Sequence, residues 1–451
     1  MFESTRPHHR RCVRIPAAAC ALAALALTAC AGTDEPLPIA NLHEIESPPG
    51  AGSGEAHLAP DGDGVILSWL EPVAGRGDVA QAGGEAARAP RHALRMARLA
   101  GEEWSESHRV ADGDNFFVNW ADFPSVTPVA PGLLAAHWLV RGPAGGYDYA
   151  IHIALSGDGG RSWSASWIPH EDGTPTEHGF VSILPVDEET FGVVWLDGRD
   201  YARAEEEGGE RDPEMALRFR QVALGWVRQA AAPPFPGDGA AEEVVIDSRV
   251  CDCCQTAAAR TARGLVAVYR DRSPQEVRDI SVVRFEDGRW SDPVPVHRDD
   301  WVINACPVNG PDVAASGDDV AVAWFTGADD RPAVKLSFSA DAGTTFGEPI
   351  EIDGGNPAGR VGVALLEDGS ALVSWLERAG GGAEVRVRRV TADGRSGSAH
   401  VVASSSASRA SGFPQMAVTA EERLVFAWTD PSDSDGTGRV RVATADIPER
   451  P

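Results

Sequence analysis

VAVAWFTGADD, from Val320 to Asp330, is a short apolar run that ends in two aromatic residues and passes at once into a turn rich in glycine and acid. Relatives of it recur along the chain. They are VILSWLEP ending at Pro72, LLAAHWLVRG ending at Gly142, FGVVWLDGRD ending at Asp200, LVAVYRDRS ending at Ser273, ALVSWLER ending at Arg378 and LVFAWTDPSD ending at Asp433. A recurrence about every fifty to seventy residues marks a repeat architecture, whose units bury their apolar faces against one another. Around Val320–Asp330, PDVAAS precedes the stretch, and AVKLSFS, a turn and EPIEI follow it, which makes four short antiparallel strands. Such units set around an axis form a propeller with short, protected edges. The expected fold class is therefore all-β: a β-propeller of four-stranded antiparallel blades, seven favoured and six the alternative.

Composition agrees with this. The 451 residues include 48 Gly and 32 Pro, which suits many turns between short strands and argues against long helices. Thirteen Trp residues suit one bulky aromatic per blade, filling the gap between adjacent sheets. A formal charge of −27 would repel phosphates, so nucleic acid is excluded as a partner.

The N-terminus reads as an address. Arg6, Arg10, Arg11 and Arg14 precede an apolar stretch, Ile15 to Ala29, too short to span a bilayer comfortably. Leu27-Thr28-Ala29-Cys30 resembles the lipobox of bacterial lipoproteins. That resemblance implies a signal peptide over 1–29, lipidation of Cys30 (palmitate among the acyl groups) and a tether over 30–37. The remainder, 38–451, is expected to be a single propeller domain, monomeric and membrane-anchored on the periplasmic or outer side of a bacterial envelope. PIANLHEIE, Pro38 to Glu46, is a strand without a unit, and the last unit stops one strand short near Ile447. The first strand is expected to complete the last blade and close the ring.

Two turns carry a motif. Ser156, Asp158, Gly160 and Trp163 lie in SGDGGRSW, and Ser339, Asp341, Gly343 and Phe346 in SADAGTTF. Both resemble the Asp-box, S-x-D-x-G-x-T-W, of the sialidase and BNR-repeat superfamily. The box is a folding device: Ser and Asp bond turn amides, Gly takes φ > 0 and the aromatic packs beneath. The resemblance implies a sialidase-like fold, built on six blades in that family, and raises an enzyme reading. Sialidases use an arginine triad, a Tyr nucleophile paired with Glu, and an Asp acid/base. Here Arg14-Ile15-Pro16 spells the family's R-I-P motif inside the segment to be removed, and Tyr occurs only at 147, 149, 201 and 269. Tyr269 with Glu276 as its base, and Asp122, are the catalytic candidates this resemblance offers.

Propeller wiring gathers two sets of loops on one face. Loops leading into the innermost strands deliver Asp122, His178, Gln255, Asn309, Arg360 and Gln415, and loops leaving the second strands deliver Arg199, Arg270 and Arg272 among others. These nine form the expected ligand-binding set, a concave site with convergent polar groups. Arg199, Arg270 and Arg360 suit bidentate capture of a carboxylate. Cys251, Cys253, Cys254 and Cys306 open two adjacent blades, and in an exported chain two disulfides are expected; the alternative is a thiolate site for copper or zinc on the same four. No other cofactor is expected. The functional expectation is a funnel that binds a glycan or an envelope protein. The alternatives are an exo-glycosidase acting on acidic sugars and a thiol- or metal-handling accessory protein.

Overall fold

Each recurrent stretch is the second strand of a blade: Gly64–Pro72, Leu133–Arg141, Thr190–Asp197, Gly264–Arg270, Asp319–Thr326, Ala371–Ala379 and Arg423–Asp430. The computed structural model describes residues 39–73, 90–206, 214–224, 242–431 and 438–448, so the signal segment, Cys30 and the tether lie outside it. The second strands are apolar at nearly every position because both faces are covered. Along Gly64–Pro72, Val65, Leu67 and Trp69 pack toward the seventh blade, while Ile66 and Leu70 pack toward the second. Seven apolar clusters result, one between each pair of neighbouring blades, including the seventh and the first. The chain is thus a closed seven-bladed β-propeller.

The aromatic of each second strand fills the gap toward the preceding blade. Trp69, Trp138, Trp195, Tyr269, Trp324, Trp375 and Trp428 are all at most 7 % exposed. An acid two residues further on holds three of the indoles. Trp69 Nε1 donates to Glu71 at 2.9 Å, Trp195 Nε1 to Asp197 at 2.9 Å and Trp375 Nε1 to Glu377 at 2.6 Å. This explains the W-L-[DE] spelling of those strands, since a buried indole N–H needs an acceptor.

The sheets run outward from the axis in chain order; the first and fourth blades divide their outer edge between two short strands, Glu103–Trp104 with His108–Gly113 and Arg289–Trp290 with Val294–Pro295, and the seventh and second depart further. In the seventh blade, Gln415–Val418, Arg423–Asp430 and Arg439–Asp446 are joined by Ala40–Ile45, which pairs antiparallel with Arg439–Asp446 as the outermost strand. The N-terminal strand therefore closes the ring. In the second blade a three-stranded sheet, Ser125–Ala130, Leu133–Arg141 and Tyr149–Ser156, is supplemented by isolated bridges, Ile153 to Trp167 and Tyr149 to Glu177 on its outer strand and Phe116 to Val140.

Both box-shaped turns have the bonding their sequence suggests. Ser156 Oγ accepts from Gly160 N at 2.9 Å and Asp158 Oδ1 from Ser162 N at 2.9 Å; Ser339 Oγ accepts from Gly343 N at 2.9 Å and Asp341 Oδ1 from Thr345 N at 2.8 Å. Gly160 sits at φ 85°, and a Cβ there would lie 2.3 Å from Met96 Sδ, so this turn also packs on the first blade.

Candidate functional site

The innermost strands begin irregularly, and that irregularity decides where the polar residues point. Register shifts occur at Gly54/His57, Gly179/Ser182 and Gly359/Gly362. The residue after each leading glycine, Glu55, Phe180 or Arg360, has φ of 52°, 53° or 56°. A bulge of this kind takes an amide out of the ladder, and a buried amide needs another acceptor. Asp122 Oδ1 accepts from Phe180 N at 2.8 Å and Asn309 Oδ1 accepts from Arg360 N at 2.8 Å. Between the fourth and fifth blades, Gln255 Oε1 accepts from Gly310 N at 3.0 Å. Each latch depends on a glycine. A Cβ on Gly179 would lie 1.9 Å from Asp122 Oδ2, on Gly310 2.1 Å from Gln255 O, and on Gly359 2.2 Å from Asn309 Oδ1.

Inside this ring of latches the axis holds a cavity of about 220 Å³. Asp122, Gln255 and Gln415 line it, joined by His57, Ser182, Asp312 and His137, which were not in the expected set. The bulges explain the omission of His57 and Ser182. One extra residue at the start of their strands reverses the alternation of side chains, so the residue three after the leading glycine, His57 after Gly54 and Ser182 after Gly179, faces the axis. Asp312 and His137 face it from strands paired regularly at those positions. The repeated leading glycine was the available signal.

The cavity is polar but without cations: among the described residues no Lys or Arg lines it. Asp312 accepts from Val363 N at 2.7 Å and Val313 N at 2.9 Å, and Asp122 also accepts from Tyr149 OH at 3.1 Å. Burial pushes the Asp122 carboxyl up to about 7, against its bonds from Phe180 N and Tyr149, and Asp312 up to about 6. Burial also lowers His57 to about 4 and His137 to about 3, so both rings are neutral at pH 7. Ser125 Oγ lies 2.8 Å from His137 Nδ1. His57 Nδ1 and His137 Nε2 are buried without a protein partner among the described residues. Over this end of the axis reaches the segment Asn119–Phe123. Ala121 O accepts from Gln255 Nε2 at 2.6 Å, and Trp120 and Phe123 pack on Phe413 of the seventh blade at 5.8 and 5.9 Å.

The remaining expected residues serve other ends, and none of them lines the cavity. His178 Nε2 lies 3.1 Å from Asp172 and its Nδ1 is 3.3 Å from Tyr149 O; burial opposes the charge, but Asp172 and Asp197 outweigh it and raise the imidazole. His170, Asp172 and His178 have metal-like spacing, but Arg199 Nη2, 3.0 Å from Asp172, supplies the cation there. The three arginines do not form a clamp. Arg199 pairs with Asp197 and Glu243 at 2.6 and 2.8 Å. Arg270, 2 % exposed, donates to the carbonyls of Asn309, Arg278 and Phe325 and lies over Trp301. Arg360 donates to Gly412 O and Ser408 O and lies over Trp120. Both tie one blade to the next through carbonyls, which leaves no donor fork for a ligand carboxylate. Arg272 is paired with Glu276 at 2.8 Å.

The proposed nucleophile pair also separates. Tyr269 OH donates to Asp247 Oδ2 at 2.7 Å, and burial raises its phenol far above the ordinary range. Glu276 is held by Arg272 and Arg278, which lower it to about 2 and make it a poor base. The strand-end position fills an inter-blade gap with Tyr269, as it does with Trp elsewhere. Of the two disulfides expected, one forms, Cys253–Cys306, with Cα atoms 6.1 Å apart. Cys251 and Cys254 are thiols with Sγ atoms 2.9 Å apart. With Cys253 and Cys306 bonded to each other, the four sulfurs do not make a tetrathiolate copper or zinc site.

The latch makes a pH prediction. Because the folded Asp122 carboxyl is raised from 3.8 to about 7, its stabilising protonated form is fully present below about pH 4 and lost as pH rises through about 7. Asp312, raised to about 6, and Glu55, raised to about 7, act in the same direction; His57 and His137, lowered by burial to about 4 and 3, act against it, and the three carboxyls outweigh the two imidazoles. The thermal midpoint is expected to be higher at pH 5.5 than at pH 8. Asp122→Asn, which keeps the acceptor for Phe180 N, is expected to flatten that difference. A wild-type midpoint that rises toward pH 8 would refute this.

No family model matches the chain, and no curated protein matches it. Solved structures do. A protein of unknown function from Dyadobacter fermentans is 13 % identical over 90 % of this chain and 98 % of its own, with a TM-score of 0.48. The GH93 alpha-L-arabinofuranosidase of Fusarium graminearum is 11 % identical over 90 % of this chain and 97 % of its own, with a TM-score of 0.44. The Trypanosoma rangeli sialidase is 11 % identical over 71 % of this chain and 54 % of its own, with a TM-score of 0.43. The likeness is one of fold, and function has to be argued from the site.

Proposed function

We propose that this chain is an envelope-anchored propeller that binds the end of a neutral glycan in its axial cavity. The observation that carries the reading is the lining itself: neutral His57 and His137, protonatable Asp122 and Asp312, Ser182 and Gln415, with Phe123, Phe180 and Phe413 beside them. Convergent hydrogen-bonding groups against aromatic faces suit a sugar ring. About 220 Å³ is room for roughly seven waters at liquid density, a single sugar rather than a long chain. An acidic sugar fits less well, since its carboxylate would meet two carboxyl groups and no cation. The anchor rests on the lipobox at Leu27 to Cys30; among the described residues no helix is long and apolar enough to cross a membrane.

Calorimetry against neutral, amino and acidic mono- and oligosaccharides tests the reading. A neutral sugar is expected to bind, with affinity at least tenfold lower in His57→Ala and in Ala257→Leu, which fills the cavity. Silence across the panel, or affinity unchanged in both variants, would refute it. In the producing cell, Cys30→Ser is expected to move the protein from the membrane fraction to the soluble one; continued sedimentation with membranes would end the anchor.

A hydrolytic reading is favoured by the place of Asp122, whose carboxyl lines the cavity; burial pushes it up to about 7, where a proton donor works well at neutral pH. It predicts phenol release from a neutral aryl glycoside, abolished in Asp122→Asn. Binding without release would leave the protein a receptor.

A further inference from the structure

We propose that Cys251, Cys253, Cys254 and Cys306 form a thiol–disulfide exchange site, in which one disulfide moves between an outer pair, Cys253–Cys306, and an inner pair, Cys251–Cys254. Three observations carry this. The Sγ atoms of Cys251, Cys253 and Cys254 all lie within 4.8 Å of one another, so the existing bridge lies beside both thiols. The two thiols are 2.9 Å apart and separated by two residues, the C-x-x-C spacing that a short loop can close. Their surroundings differ in the way a relay needs: Cys251 and Cys254 are 1 % and 2 % exposed, Cys253 is half-buried and Cys306 is exposed.

The attacking sulfur is identified by its neighbours. Arg278 Nη1 lies 3.4 Å from Cys251 Sγ. Burial works against the Cys251 thiolate, but the bond from Cys254, the Cys253 amide, Arg270 and Arg278 outweigh it and bring this thiol down to about 7. Cys254 is pushed upward by burial and by its neighbour, and remains a thiol. Only thiolates attack disulfides, so Cys251 begins the exchange.

The steps balance within the four sulfurs. Cys251, having given its proton to solvent, attacks Cys253 Sγ; the Cys251–Cys253 bond forms, the Cys253–Cys306 bond breaks, and Cys306 leaves as a thiolate that takes up a proton. Cys254 then loses its proton and attacks Cys251 Sγ; the Cys251–Cys254 bond forms and Cys253 leaves as a thiolate that is protonated in turn. The number of disulfides is unchanged, so no outside oxidant enters. What changes is exposure: a bridge moves inward and a thiol appears at Cys306, open to small electrophiles and disulfides. The site lies in the loops that lead into the fourth and fifth blades and does not depend on what the axial cavity binds.

The test uses the full chain purified under nitrogen without reductant. It is incubated at pH 7.5 with N-ethylmaleimide, quenched at intervals with acid and digested, and the cysteine peptides are read by mass spectrometry. Cys306 is expected to become alkylated as a Cys251–Cys254 bridge appears in equal amount. Cys251→Ser is expected to keep Cys306 bridged to Cys253 and to cut its labelling at least tenfold. Cys254→Ser is expected to permit the first step only, giving alkylated Cys306 with Cys251 bridged to Cys253. Thermal midpoints of both variants identify any that fail to fold, and the wild-type time course stands without them. Four results would overturn the proposal: Cys306 remaining bridged in the wild type for hours, equal labelling in Cys251→Ser, both bridges present in every molecule, or a stoichiometric zinc or copper ion shielding all four sulfurs.

Discussion

A chain that starts at Ser47 is expected to lose at least about 5 kcal/mol of stability, and to unfold at a much lower urea concentration than one that keeps Ile39 to Glu46. The estimate adds Ile39, buried between the sixth and seventh blades, to the half-buried Leu42 and Ile45, at about 1.5–3 kcal/mol for each fully buried side chain. To these are added the ladder to Arg439–Asp446, the bond from Asn41 Nδ2 to Asp446 at 2.7 Å and the bond from Trp104 Nε1 to Glu46 O at 2.8 Å. The loss is larger than that of an ordinary edge strand because this one joins the two ends of the chain. Without it Arg439–Asp446 becomes an open edge, and aggregation at micromolar concentration is expected beside the shifted midpoint. Urea unfolding followed by tryptophan fluorescence decides it. An unchanged midpoint would mean that the seventh blade holds without its outer strand.

Trp195→Ala is expected to cost about 3–5 kcal/mol, the range for removing a fully buried large aromatic. Trp195 is 0 % exposed and packs with Phe191, Val193, Ile151 and Ile153 between the second and third blades. The gap would also remove the indole donor from Asp197, which keeps Arg199 at 2.6 Å and so is not left unpaired. The cost should therefore come from the cavity rather than from a stranded charge. Tyr147→Ala is the comparison, since Tyr147 is 68 % exposed and its loss is expected to change stability by less than about 0.5 kcal/mol. Similar midpoints for the two variants would show that the inter-blade aromatics do not hold the ring together.

These two predictions rest on features that were legible in different degrees. The recurrent strands, the closing strand and the box-shaped turns follow from apolar periodicity and turn residues, which act over a few neighbours. The place of each polar side chain at the axis does not. Asp122 and Asn309 look like ligand groups in the chain, but each accepts a backbone amide freed by a bulge in the next blade, more than fifty residues away. Arg270 and Arg360 look like an anion clamp, yet their donors are taken by carbonyls of neighbouring loops. Nothing in the local spelling marks His57 or His137; a register shift turns His57 to the cavity, and His137 reaches it from a regular second strand.

By itself the sequence determined a repeat of four-stranded units, because a strand covered on both faces must be apolar throughout and one aromatic must fill each gap between blades; that the ring holds seven units and not six was decided by the structure. The sequence determined closure too, since a strand with no unit and a unit lacking a strand leave one arrangement in which both are paired. Tertiary structure alone decided the chemistry of the axis. Which side chain faces the cavity depends on single-residue register shifts, and whether a charge is free to bind depends on partners from other blades. Both are set by how the ring packs and not by the local order of residues.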